Sequence, residues 1–81
     1  MNDAKLRECI SLTLGIPLES VTDDLAYNAI REWDSVAHMA LVAAIEGAFG
    51  IMLDTDDILG MNSVARAREI VTRYGVTFDA P

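Results

Sequence analysis

Ser35 and His38 are the residues of this chain whose types and spacing come closest to a catalytic pair. Three residues apart on a helix, their side chains would lie on roughly one face, as a hydrolase serine and its base require. A nucleophilic serine also needs a third group that orients the base, and an oxyanion hole that excludes water. A chain of 81 residues without a glycine-rich nucleophile elbow has little from which to build them. We therefore predict no enzymatic activity, and we interpret His38 as an exposed helix-surface residue near a binding face.

Metal binding is equally poorly supported by the ligand types. The chain has one histidine, His38, and one cysteine, Cys9, far apart in sequence, whereas zinc sites use clustered ligands. The acidic stretch 54–57 could suggest a calcium loop. An EF-hand counted from its first residue needs glycine at the sixth position and glutamate at the twelfth, and Leu59 and Ala65 stand there. We predict no metal site and a solvated acidic surface.

The acidic balance limits the partners. Thirteen acidic and six basic residues give a net charge of -7, and such a surface repels the phosphates of nucleic acids and anionic membranes. Basic patches on other proteins attract it, mainly through encounter rate and orientation. We expect a monomer with protein partners, and neither nucleic acid nor membrane among them.

Targeting signals are not recognisable in the sequence. Residues 1–5 lack the basic and apolar regions of a signal peptide, and no apolar run approaches the ~18 residues of a membrane span. A single cysteine, Cys9, permits no internal disulfide, so an oxidising compartment is not implied. Cys9 is interpreted as a half-buried core residue of the first helix. We expect a cytoplasmic protein.

Hydrophobic periodicity predicts an all-α fold in one domain, residues 1–81: a small four-helix bundle with three longer helices, a short third helix and a long loop between helices one and two. Residues 77–81 are expected to fray. The predicted elements are a helix over 3–14, a loop over 16–34 with a helical turn near 22–25, a helix over 35–49, a short helix from the acidic stretch to about Gly60, and a last helix from a cap at Asn62 or Ser63 to about Tyr74.

The second helix carries two apolar rows. One row faces the core and consists of Leu41, Ile45, Ala48 and Phe49. The other is more apolar than a solvent-exposed helix face needs to be, and it suggests contact with a partner. It consists of Val36, Met39, Ala40 and Ala43. Ser35 begins this helix, and from the residues alone it is best interpreted as a helix cap.

Several segments together resemble the acyl carrier protein family. They are Trp33–Val36, followed in register by Leu41–Glu46 and Phe49–Ile51. The resemblance continues through Asp56 and Asp57 into the last helix and covers nearly the whole chain, with a weaker, generic match in the first helix. Asp-Ser before a hydrophobic residue is a weak motif alone, but it is specific in register with the downstream Glu-x-x-Phe-Gly-Ile in an acidic helical domain.

The resemblance implies a carrier with a covalent prosthetic group. Ser35 would be joined through a phosphodiester to 4'-phosphopantetheine, taken from coenzyme A by a separate phosphopantetheinyl transferase, and cargo would be held as a thioester. Asp34 would help to position the serine at the transferase. A helix N-terminus also favours the phosphate that would be attached there. Expected contacts with partner enzymes are Val36, His38, Met39, Glu46, Asp56 and Asp57.

The chain also departs from the family's common patterns. Trp33 replaces a glycine, and Glu46 is the lone carboxylate on a helix where fatty-acid-type carriers often have several. The Gly-Gly-x-Ser pattern of peptidyl carriers is missing as well. The pattern looks like a stand-alone carrier for a specialised pathway, loaded by a ligase or synthase with a short acyl or aminoacyl group; fatty acyl, polyketide and amino acid cargo stay open. The alternatives are an aminoacyl or peptidyl carrier, and a helical adaptor in which Ser35 only caps. Trp33 and His38 are expected to set partner specificity.

Overall fold

The computed structural model describes residues 2–78, and in this range the chain forms four α-helices and no strand. The predicted all-α bundle with a short third helix and a long first loop is confirmed. The helices are α1 (Asn2–Leu14), α2 (Ser35–Phe49), α3 (Thr55–Gly60) and α4 (Val64–Arg73). None of them is long and apolar enough to cross a membrane.

Local sequence signals fix the helix ends. Gly50 adopts the left-handed conformation, with φ of 65°, and its N–H donates to the Glu46 carbonyl to end α2. The Asp54 side chain accepts from the Asp57 N–H at the start of α3, and Ser63 caps α4 in the same way. Of the two residues predicted to cap the last helix, Asn62 and Ser63, the structure has Ser63 as the cap.

The core is built from one face of each long helix and from anchors in the loops. Trp33 is fully buried directly before α2, so the long loop reaches the centre of the bundle. In α2 the prediction missed Val42, which is buried, and placed Ala48 and Phe49 too deep, since both are half-buried. The buried apolar residues are Leu6, Ile10, Leu14, Val21, Trp33, Leu41, Val42, Ile45, Leu53, Met61, Val64, Ala67, Ile70 and Val71.

The long loop is fastened to the start of α4. Tyr27 N–H donates to the Asn62 carbonyl at 2.9 Å, and Val64 N–H donates to the Leu25 carbonyl at 3.0 Å. Near 22–25, where a helical turn was expected, the chain forms a single turn in which the Leu25 N–H donates to the Thr22 carbonyl at 3.1 Å. A 3₁₀ helix, which was not expected, forms earlier in the loop at Leu18–Ser20. Pro17 precedes it, and its fixed φ of -62° suits the start of such a turn.

An ion-pair cluster joins α1, the loop and α4. Arg7 and Arg68 each contact both Asp3 and Asp23, with N–O distances between 2.7 and 3.0 Å. The hydrogen bond from Arg7 lowers the pKa of Asp3, and the hydrogen bond from Arg68 lowers the pKa of Asp23. These groups are partly exposed, so the cluster orients the elements more than it stabilises them.

The chain after α4 folds back onto the bundle. The Asn2 side chain donates to the Thr77 carbonyl at 2.6 Å, and the Phe78 and Phe49 ring centroids lie 6.0 Å apart. The expected fraying is therefore wrong for residues 77 and 78, because Phe78 has apolar surface to bury. For residues 79–81 the prediction lies outside the described residues.

Candidate functional site

Asp34 and Ser35 have different roles at the start of α2. The Asp34 carboxylate accepts from the Ala37 N–H at 2.9 Å, so Asp34 is the N-cap. The interpretation of Ser35 as the cap is wrong, because Ser35 is the first helical residue. Its exposed side chain is left to solvent. An exposed hydroxyl thus stands where the helix also presents backbone N–H groups that have no partner within the helix.

His38 is buried, and the expectation of an exposed surface residue is wrong. Its side chain is only 8% exposed. The Trp33 Nε1–H donates to His38 Nδ1 at 3.0 Å, and His38 Nε2 lies 2.9 Å from the Ile58 carbonyl oxygen. Tyr27 approaches edge-on, with ring centroids 5.3 Å apart. Both ring nitrogens are therefore engaged, and neither is available as a base for Ser35.

A local sequence signal could have revealed this pair. With Asp34 as N-cap, Trp33 is the residue before the cap and His38 is the fourth residue of the helix. Side chains at these two positions commonly pack together and fix the angle at which the chain enters the helix. The Trp33 and His38 rings lie 6.1 Å apart. A capping assignment of Asp34 would thus have placed His38 inward.

A pocket of about 280 Å³ opens beside Ser35. Ser35 and Met39 contribute to one wall from α2, and Ile58 and Leu59 of α3 contribute to another. Most of its lining side chains are apolar. The sequence did not indicate that α3 and its following residues would lie this close to Ser35. The complete lining is Tyr27, Ser35, His38, Met39, Ile58, Leu59, Met61 and Asn62.

The second apolar row of α2 is exposed, as predicted. Val36 is 79% exposed and Met39 is 55% exposed, and Ala40 and Ala43 are exposed beside them. On α3, Leu59 is 74% exposed. These residues form an uncharged surface next to Ser35, which we call the apolar face.

The acidic residues expected at a partner interface are largely engaged within the chain. The Glu46 carboxylate accepts from the Leu53 N–H at 2.9 Å. Asp57 accepts from the Tyr74 hydroxyl at 2.5 Å, and it pairs with Arg73 at 3.2 Å. This hydrogen bond to the Asp57 carboxylate raises the pKa of Tyr74. Of Glu46, Asp56 and Asp57, only Asp56 is exposed.

The described residues contain no group of three or more His, Cys, Asp or Glu side chains that could hold a metal ion. Several of the acidic residues instead cap helices or pair with arginine. Asp54 caps α3, and Asp23 lies in the ion-pair cluster.

Comparison with known families gives a match to the phosphopantetheine attachment site family over residues 4–71. The chain belongs to this family. Its members are carriers without catalytic activity, and they hold a covalently attached 4'-phosphopantetheine group. No curated protein gives a significant match to the chain. Carriers of this family work with a phosphopantetheinyl transferase and with biosynthetic enzymes.

The start of α2 fits such a group. A phosphate attached to the Ser35 hydroxyl would lie at the N-terminus of a 15-residue helix, where backbone amides and the helix dipole favour negative charge. The hydroxyl is accessible, and the neighbouring pocket is apolar. The Asp34 carboxylate accepts from the Ala37 N–H, so it leaves the Ser35 hydroxyl free for attachment of the group.

Proposed function

We propose that Ser35 is the attachment point of 4'-phosphopantetheine and that the protein carries acyl or aminoacyl intermediates between the enzymes of a specialised biosynthetic pathway. The observation that carries this proposal is the exposed Ser35 hydroxyl at the N-terminus of α2, within the family match. The group, once attached, supplies a terminal thiol on which cargo is held as a thioester.

The other serines are poorer candidates. The chain has four. The Ser11 hydroxyl donates to the Ile16 carbonyl at 2.6 Å, and Ser63 caps α4. Ser20 is exposed, but it ends a 3₁₀ helix, so no helix N-terminus is there to receive a phosphate. Ser35 combines an exposed hydroxyl with a long helix behind it.

Asp34 and the first backbone amides of α2 are the groups that would orient and bind the attached phosphate. The Asp34 cap fixes where α2 begins and therefore the direction in which Ser35 projects. The amides of Ser35 and Val36 are free to meet the phosphate, because the capping bond uses the amide of Ala37 instead. Hydrogen bonds from amides to an oxyanion are among the strong ones in proteins.

The transferase and the loading enzyme would dock on the apolar face. Val36 and Met39 flank Ser35 and are exposed, and Asp56 offers an exposed carboxylate nearby on α3. His38, Glu46 and Asp57 would act indirectly, since their polar atoms already hold other parts of the chain. We therefore propose recognition that rests mainly on apolar contact, with cargo chosen by the loading ligase or synthase.

Intact mass spectrometry after incubation with coenzyme A and a broad-specificity phosphopantetheinyl transferase tests the attachment point. The wild-type chain should gain the mass of one phosphopantetheine group. Ser35→Ala should gain nothing. Ser20→Ala is the matched control, because it removes another exposed serine hydroxyl, and it should be modified like the wild type.

A new thiol offers a second readout of the same reaction. Cys9 is half-buried, and burial raises the pKa of its thiol, so it reacts slowly near neutral pH. Modification should therefore add one fast-reacting thiol that Ser35→Ala lacks. An unmodified wild type, or a modified Ser35→Ala chain, would refute the assignment.

A further inference from the structure

Trp33, His38 and Ile58 form a buried relay of two hydrogen bonds that links the loop before α2 to α3. An indole nitrogen can only donate and a carbonyl oxygen can only accept. The Nδ1 atom of His38, which receives the indole N–H, must therefore be unprotonated. The proton lies on Nε2, which donates to the Ile58 carbonyl. The relay thus selects one neutral tautomer of His38.

Few other contacts hold α3 in place. It has six residues, none of them fully buried, and so short a helix is not stable alone. Its first turn is held by the Tyr74 hydroxyl and by Arg73, both bound to Asp57. Its last turn is held by the bond between His38 and Ile58 and by the partly buried Ile58 side chain, which packs against the core. Directly after α3, Met61 is fully buried.

The same bond joins two residues that line the pocket beside Ser35. His38 lines this pocket from α2, and Ile58 lines it from α3. Their hydrogen bond joins the two walls at 2.9 Å. The shape of the space next to Ser35 therefore depends on whether the relay is intact.

We propose that His38 is a positioning residue: held by Trp33, its ring keeps α3 docked against the Ser35 end of α2, and α3 moves away when the relay is broken. Without the Nε2–H of His38, the Ile58 carbonyl loses its partner in a partly buried place, and α3 must shift to let water replace it. Trp33 and Met61 remain in the core, so the bundle stays folded. The docking of α3 by His38 does not depend on the proposed function. An effect of His38 on modification by the transferase does, because it rests on Ser35 being the attachment point.

Hydrogen exchange of the unmodified protein tests the docking. His38→Phe keeps a ring in place and removes both hydrogen bonds, whereas His38→Gln keeps one acceptor and one donor. In His38→Phe, amides of residues 55–61 should exchange about tenfold faster than in the wild type, as expected for local opening. Amides of α1 and α4 that exchange through global unfolding should accelerate only as much as the loss of overall stability, measured by urea denaturation, requires, and His38→Gln should lie close to the wild type. Unchanged exchange in α3, or α3 exchange that occurs only through global unfolding as in α1 and α4, would overturn the proposal.

The wild-type protein provides a test that does not depend on a variant that folds. Nitrogen NMR should show the His38 ring protonated on Nε2 and unprotonated on Nδ1, and the opposite tautomer would refute the relay. With the transferase, His38→Phe should raise KM for the carrier about fivefold at unchanged kcat, and His38→Gln should restore it. An unchanged KM would refute a role of His38 in modification by the transferase. Failure of wild-type modification would count against the attachment point alone, since exchange and tautomer do not depend on it.

Discussion

Trp33→Phe separates the packing of the relay from its hydrogen bonding. Phenylalanine keeps a ring in the core but lacks the N–H that donates to His38 Nδ1. The buried acceptor left without a partner costs about 1–3 kcal/mol. The smaller ring adds about 1 kcal/mol for the space it leaves. The total, about 2–4 kcal/mol, is a large part of the ~4–12 kcal/mol expected for a domain of this length.

Urea denaturation followed by far-ultraviolet circular dichroism measures this loss. With a slope of about 1 kcal/mol per molar urea, the midpoint should fall by roughly 2 M or more. A double-mutant cycle with His38→Phe should give a coupling energy of about 1–2 kcal/mol, because each single change already breaks the shared bond. A loss below about 0.5 kcal/mol, or additive single changes, would refute the relay as a stabilising contact.

Two further predictions concern the helix cap and the ion-pair cluster. Asp34→Ala removes the acceptor for the Ala37 amide, so the free energy of unfolding should fall by about 1 kcal/mol, whereas Asp34→Asn should retain most of it; equal losses in thermal melts would contradict the cap. Asp3 and Asp23 have folded-state pKa values lowered from 3.8, so their contribution is present above the unfolded-state pKa and is lost as pH falls through the folded-state pKa. Melts below about pH 4 should show this loss, and Arg68→Gln should reduce it by about 0.2–1 kcal/mol. An unchanged pH dependence in Arg68→Gln would exclude the cluster as its cause.

The helices could be predicted because their signals are local. The structure has α2 over Ser35–Phe49 and Gly50 at its end, as expected, although its N-cap is Asp34 and not the predicted Ser35. The short α3 was predicted from acidic residues at a helix N-terminus, and it begins at Thr55 after the Asp54 cap. The residues that cap a helix lie within one turn of its end, so the caps can be recognised in a single sequence.

Hydrophobic periodicity alone did not predict which polar side chains are buried or bonded within the chain. His38 lies on a helix whose exposed face is also apolar, so periodicity did not show which side it occupies. Its burial depends on a donor in the preceding loop and an acceptor in α3, and Ile58 is 20 residues away in sequence. Glu46 shows the same limit. Its carboxylate looked available for partners, but it binds the Leu53 amide after the chain has turned at Gly50.

The apolar face also determines how a partner would arrive. Val36 and Met39 carry no charge. The one acidic residue of α2, Glu46, already accepts a hydrogen bond from the Leu53 N–H. The contact surface itself adds little electrostatic selection, so steering of a basic partner comes from the field of the whole chain, whose net charge is -7. Added salt would slow association by screening this overall charge, whereas it would leave the contacts at the apolar face unchanged. Shape complementarity at the apolar face would then distinguish one partner from another, because a partner that fits well dissociates slowly.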